Sequence, residues 1–274
     1  MAKPTKPPGL GPGSLVRSAG ARLLRARLAD VRRYETHLLK GIPAEPVHDM
    51  RVASRRLRAA LRLLGNARLR NLEPAVKELQ DALGAVRDVQ LQIAWLARRS
   101  GKLAAQRRQV LPGAGAALRR ALDDWLSRTA TGIATAIPRL DRSGRLGGPR
   151  IRRALRKRLA AVEKRLRAAL ENPDALTAHR LRIGVKKLRY FSELAEPALP
   201  GACGELLEEL ELMQERLGEL HDADVRVGLL EEMGAPALRR REEAHRAALA
   251  RRLDTELRRW RDEKLARRFR RQLA

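Results

Sequence analysis

Aromatic side chains are scarce: two Phe, three Trp and two Tyr among 274 residues. Proteins that hold single-stranded nucleic acid stack its bases on aromatic rings, so this composition argues against that mode of recognition. Cysteine is scarcer still. The lone Cys203 can form neither an internal disulfide nor a Cys-rich zinc site, which favours a reducing compartment. Long apolar runs are missing too, since no uncharged stretch exceeds about ten residues, against the roughly 20 of a membrane-spanning helix. The amino-terminal MAKPTKPPGLGPGSL has Pro and Gly where a secretory signal has its apolar stretch, and residues 1–14 read as a flexible cytoplasmic tail. Negative charge is in deficit, with 32 acidic residues against 59 basic ones and a net charge of +27. Such a balance calls for a polyanion or an anionic surface.

What is present is helical. The chain is 44% apolar, enough for a folded core. From about Leu15 onward Ala, Leu, Arg and Glu dominate, with apolar residues recurring every three or four positions and no convincing strand. Pro and Gly punctuation at residues 41–43, 65–66, 111–113, 143–149, 172–174, 197–204 and 234–236 divides the helices. Of the bases, 49 are Arg and 10 are Lys. The planar Arg fork grips phosphate oxygens in pairs, although a codon bias toward Ala and Arg would produce the same count.

The two halves repeat one another. Arg25 to Val31 reads RARLADV, and 131 positions later Arg156 to Val162 reads RKRLAAV. At the same offset His48 to Arg58, HDMRVASRRLR, matches His179 to Arg189, HRLRIGVKKLR. At an offset of 134, Gln80 to Val89 matches Gln214 to Ala223, each with a Leu-Gly-x-x-x-Asp block. The fold class expected is therefore all-α: a duplicated pair of antiparallel four-helix-type bundles, about 15–142 and 148–274. Within each unit a long helix (about 15–40; 148–171) leads to the His/Arg helix (about 45–64; 174–195). A third helix (about 71–87; 203–220) ends at the Leu-Gly block, where Asp88 or Asp222 can cap a short helix. Helices at about 102–136 and 236–271 close the units.

On a helical wheel His48, Arg51, Arg55, Arg58 and Arg62 share an arc of about 80°, with Met50, Leu57, Leu61 and Leu64 opposite. His179, Arg182, Lys186 and Arg189 fall at the same angles, with Leu181 and Leu188 opposite, and Glu193 stands where Arg62 stood. Both segments, 48–62 and 179–193, carry +4. Like charges three or four residues apart repel unless solvated or crossed by an anion. A solvated face would normally mix signs. The two matched rows are therefore read as anion sites, with capping or packing roles for the histidines kept open. Residues 205–222 hold seven acids and one base, a segment suited to balancing the field or to pairing with a basic helix of the same chain.

On these paired His-x-x-Arg helices and Leu-Gly-x-x-x-Asp turns, the sequence resembles the CHAD (conserved histidine α-helical) domain family, over about residues 15–274. The resemblance implies two bundles related by a pseudo-twofold around a basic channel that holds inorganic polyphosphate, and association with polyphosphate granules. Many members are fused to a CYTH triphosphatase domain; no Glu-x-Glu-x-Lys strand is found here. By motif position the polyphosphate-binding residues fall on His48, Arg51, Arg55, Arg56, Arg58 and Arg62, and on His179, Arg182, Lys186, Lys187 and Arg189. Arg56 and Lys187 lie off the main arc, and Arg25, Arg87, Arg156 and His221 are weaker candidates.

The expected function is thus non-catalytic binding of inorganic polyphosphate, with no cofactor, no metal site and no membrane insertion. Non-specific nucleic-acid binding, centred on the basic segment 239–274, is the alternative. An enzyme is not expected, because there is no Gly-x-x-x-x-Gly-Lys loop and no acidic cluster beside either His helix.

Overall fold

The structure is a computed structural model and describes residues 4–141 and 144–273. Ser143 of the central breaker, Arg142 at the expected end of the first unit, residues 1–3 of the tail and Ala274 lie outside the described residues. The described part is all-α. Its only β-type pairing is an isolated bridge between Leu15 and Arg145. The chain separates into two compact units, Met1–Leu146 and Gly147–Ala274, with the division inside the Gly-rich stretch.

In the first unit α1 (Val16–Arg32) and the short α2 (Glu35–Lys40) precede α3 (Ala44–Leu64), α4 (Ala67–Asn71) and α5 (Glu73–Ala97). Then follow α6 (Gly101–Arg108), α7 (Leu111–Asp124), a π-helical turn over Trp125–Thr129, and α8 (Ala130–Ala136). The expected helix at 15–40 is interrupted at Arg33 and Tyr34, and the one at 102–136 is in three pieces. α3 packs between α1 and α5. Leu24, Val31, Met50, Leu57, Leu61, Val76, Leu83 and Trp125 fill the core of this unit. Burial of each such side chain is worth about 1.5–3 kcal/mol.

The second unit holds α9 (Pro149–Glu171), α10 (Ala175–Ala195), α11 (Pro200–Glu232), α12 (Pro236–Asp262) and α13 (Leu265–Gln272). α10 packs between α9 and α11, around Leu155, Leu159, Leu181, Val185, Leu188, Leu206, Leu210 and Met213. The start of α10 is fixed by a capping box. The Asp174 carboxylate accepts from the Thr177 N–H at 2.7 Å, and Thr177 Oγ1 accepts in return from the Asp174 N–H at 3.3 Å. α3 and α10 are both 21 residues long, and their bounds differ by 131.

Two expectations are corrected. The third helix does not stop at the Leu-Gly block: α5 and α11 run straight through Asp88 and Asp222, which are therefore not caps. The apolar stripe continues past the block, through Val89, Trp95 and Leu96 in one unit and Ala223, Leu229 and Leu230 in the other. That burial outweighs the ~1 kcal/mol cost of one mid-helix Gly. The tail is also tied down from Thr5 onward. Thr5 donates its N–H and its hydroxyl to Asp30, at 3.2 and 2.5 Å. Asp30 is itself paired with the buried Arg27 at 2.6 Å. Arg22 donates to the Gly9 carbonyl at 3.2 Å, so the segment lies along α1.

Candidate functional site

Met50, Leu57, Leu61 and Leu64 of α3 are completely buried, which turns the His/Arg row away from the core. An acid on the neighbouring helix divides that row in two. Glu73, the first residue of α5, is 9% exposed. It accepts from Arg58 Nε at 2.5 Å and from Arg62 Nη2 at 2.8 Å. Arg58 also donates to Gln80 Oε1 at 2.8 Å. The carboxyl-terminal half of the row is therefore engaged within the protein, although one carboxylate shared by two guanidiniums offsets only part of its charge.

The amino-terminal half carries His48, Arg51 and Arg55, and α5 presents Gly84 and Arg87 to it. Arg51 Nε lies over Gly84 of α5, 3.4 Å from where a Cβ would stand, an ordinary contact distance. One turn further on, Arg87 has a buried Nε with no hydrogen-bond partner. Burial, followed by Arg87 and then Arg51, holds the His48 imidazole below its ordinary value, with Asp49 opposing. Arg55 is half-buried and makes no ion pair among the described residues.

The second unit follows the same division. Arg189, 7% exposed, occupies the position corresponding to Arg58. It donates to Glu211 at 3.2 Å and pairs with Glu193 at 3.4 Å, so it too is spent internally. The amino-terminal half holds His179, Arg182 and Lys186, and α11 adds His221. The His179 and His221 ring centroids are 5.2 Å apart, with the planes tilted by 44°. Burial, Arg182 and Lys186 hold His179 below the usual imidazole value. His221 is pushed down to about 4 by burial, Arg182, His179 and Lys186. Each unit therefore gathers cationic and imidazole groups from two helices, where burial first and the neighbouring cations second hold the histidines below their ordinary value.

The remaining candidates fall elsewhere. Arg56 is 8% exposed, on a side of α3 away from the row, whereas Lys187 is exposed on α10. Arg25 is on the exposed face of α1, where it lines an open concavity of about 440 Å³ with Arg17, Arg22 and Pro138. Arg156 donates to the Leu273 carbonyl at 3.4 Å and ties α9 to the end of α13. Arg87 and His221, by contrast, belong with the histidines. Their shared place three residues after the Leu-Gly glycine was the signal for this in the sequence, masked by reading that block as a helix end. The partner of Arg189 was legible as well, since Glu193 follows it by four residues, a helical ion-pair spacing.

The acidic stretch of α11 is matched by basic residues of the last two helices. Arg259 of α12 donates to Glu209 at 2.5 Å, and Arg268 of α13 pairs with Glu205. Arg246 pairs with Asp224 at 2.5 Å, and Glu242 with Arg226 at 3.0 Å. Much of the charge of the carboxyl-terminal segment is thereby consumed inside the unit. Cys203 is buried among apolar residues, and burial pushes its thiol up to about 12, a state without nucleophilic character. Among the described residues no three His, Cys, Asp or Glu side chains converge as metal ligands, and no helix is long and apolar enough to cross a membrane.

A crystal structure of the CHAD domain from the plant Ricinus communis is similar to this chain, with a TM-score of 0.69 and 24% identity over 94% of this chain and 96% of that one. At that identity the likeness speaks for the fold. No curated protein matches the sequence. The family model of the CHAD domain matches residues 22–231, and the histidine and arginine rows of α3 and α10 lie within that span: the chain belongs to the CHAD domain family.

Proposed function

We propose that the protein binds inorganic polyphosphate, without hydrolysing it, at the amino-terminal halves of the α3 and α10 rows. The observation that supports this reading is the state of the histidines. His48, His179 and His221 all sit below their ordinary value, through burial first and then through cations of the same cluster, two helices bringing these groups together at each site. Cations held together in this way repel one another, and a phosphate chain laid across them converts the repulsion into charge-assisted hydrogen bonds. Release of counterions from the polyanion adds an entropic term and makes the affinity fall steeply with salt. Attachment to polyphosphate granules in the cytoplasm follows from such binding.

A second reading, non-specific binding of nucleic acid, is favoured by a different surface. Arg240, Arg241, Arg251 and Arg252 of α12 are exposed and make no ion pair among the described residues. Titrating the protein with polyphosphate and with double-stranded DNA at equal ionic strength separates the two. Polyphosphate is expected to bind at least tenfold more tightly, and equal affinities would sink the specific claim. Removing the four α12 arginines is expected to weaken DNA binding and leave polyphosphate binding within about twofold.

A further inference from the structure

The two clusters differ in the kind of cation at one place, Arg55 against Lys186, and in whether the group titrates at another. Where α5 of the first unit offers Arg87 to His48, α11 of the second offers His221 to His179. An arginine is charged at every physiological pH, whereas an imidazole carries charge only after taking up a proton. We propose that the second unit binds its phosphate ligand with uptake of protons by the His179–His221 pair, so that this site strengthens on acidification while Arg87 leaves the first unit less dependent on pH. The inference rests on the polyphosphate reading and adds a proton-linked response to it.

The surroundings of the pair are those of a proton-coupled anion site. From α10, Arg182 and Lys186 face both rings, and both raise the cost of protonation. On α11 itself His221 is flanked by Glu219, which pairs with Arg216 at 3.2 Å, and by Asp222. On α12 the nearby charges are already matched, Arg246 with Asp224 and Glu242 with Arg226. On α9, Arg165 lies against Gly184 on the other side of α10 and donates to the Ala161 carbonyl at 3.0 Å, so it is turned away from the pair. With rings 5.2 Å apart, the first proton taken up makes the second harder to add. A phosphate oxygen placed among these groups reverses the balance. It offsets Arg182 and Lys186, accepts hydrogen bonds from both imidazolium rings, and raises the proton affinity of each.

The sign follows from linkage. If the complex holds more protons than the free protein, affinity rises as pH falls, by up to about tenfold per pH unit for each proton taken up. Above the value of the ligand-bound imidazoles the dependence vanishes. His48 supplies a smaller dependence of the same sign in the first unit.

The test is calorimetric titration of the full-length protein with polyphosphate at pH 6 and pH 8, in buffers of different ionisation enthalpy, which counts the protons exchanged. The wild type is expected to take up protons at pH 6 and to bind at least tenfold more tightly there than at pH 8. His221→Arg is expected to bind more tightly than wild type at pH 8 and to lose most of the difference between the two pH values. His221→Gln is expected to lose most of the difference, keeping only what His179 and His48 supply, while staying weak at both. Circular dichroism verifies that each variant is folded, and either variant alone suffices for the comparison. Tight binding with no proton uptake, or a pH response unchanged in the folded variants, would overturn this inference and leave the polyphosphate reading standing. No binding of polyphosphate at either pH would overturn both.

Discussion

Glu73 decides what the first basic row can do. Five groups share one face of α3, yet a single carboxylate withdraws Arg58 and Arg62 from it, so equal charge along a helix does not mean equal availability. Breaking such a part-buried pair by Glu73→Gln leaves two cations facing each other. It is expected to lower the unfolding free energy by about 2 kcal/mol in urea titration, and an unchanged midpoint would contradict the assignment. His221 gives a second check, in the free protein. Its folded value is about 4, below that of an unfolded histidine near 6.5. The unfolded chain therefore binds more protons between those values, so stability is full above about pH 6.5 and declines as pH falls toward 4. His221→Gln is expected to flatten this decline in the thermal midpoint, and a decline of equal steepness would remove His221 as its cause.

Helix existence was legible in the sequence, and helix ends were legible only where a Pro or Gly break coincides with the end of the apolar stripe. The apolar period placed α3, α9 and α10 to within about a residue, because each stands between a Pro/Gly break and a strong amphipathic stripe. It failed at Gly84 and Gly218, where glycine reads as a stop although burial of the following stripe carries the helix on. It failed again at Arg33–Tyr34 and at Lys264, where no Gly or Pro marks the break. Lys264 adopts the left-handed conformation between α12 and α13, which a sequence pattern does not reveal for a lysine. Two turns carry testable consequences. A Cβ on Gly65 would lie 2.3 Å from the Leu61 carbonyl oxygen, so Gly65→Ala is expected to cost about 1–3 kcal/mol in urea unfolding. The Asp174 cap holds its carboxyl below the usual value through the Thr177 N–H and hydroxyl. Its contribution is present above the ordinary carboxylate range and lost as pH falls through the folded value. Asp174→Ala is therefore expected to lower the thermal midpoint at pH 7 and to make no difference in strong acid.

A net charge of +27 attracts any polyanion and by itself identifies none. Within each unit the surplus is sorted. Acids of α11 engage the basic residues of α12 and α13, Glu73 and Glu211 engage the ends of the two rows, and the histidine ends gather cations and imidazoles from two helices. The candidate site was half legible. The rows followed from spacing, and so did Glu193 beside Arg189, but the rest of their division did not, since Glu73 and Glu211 come into place only when the neighbouring helices pack. The central claim is that phosphate is held by the histidine halves alone. Two full-length variants, each lacking three cations, test it by polyphosphate titration over a range of salt: Arg55→Gln, Arg87→Gln and Lys186→Gln in one, Arg58→Gln, Arg62→Gln and Arg189→Gln in the other. The first is expected to lose at least tenfold in affinity and to show a shallower salt dependence, while the second stays within about threefold of wild type with its salt slope unchanged. Equal losses in both, or a greater loss in the second, would contradict the account.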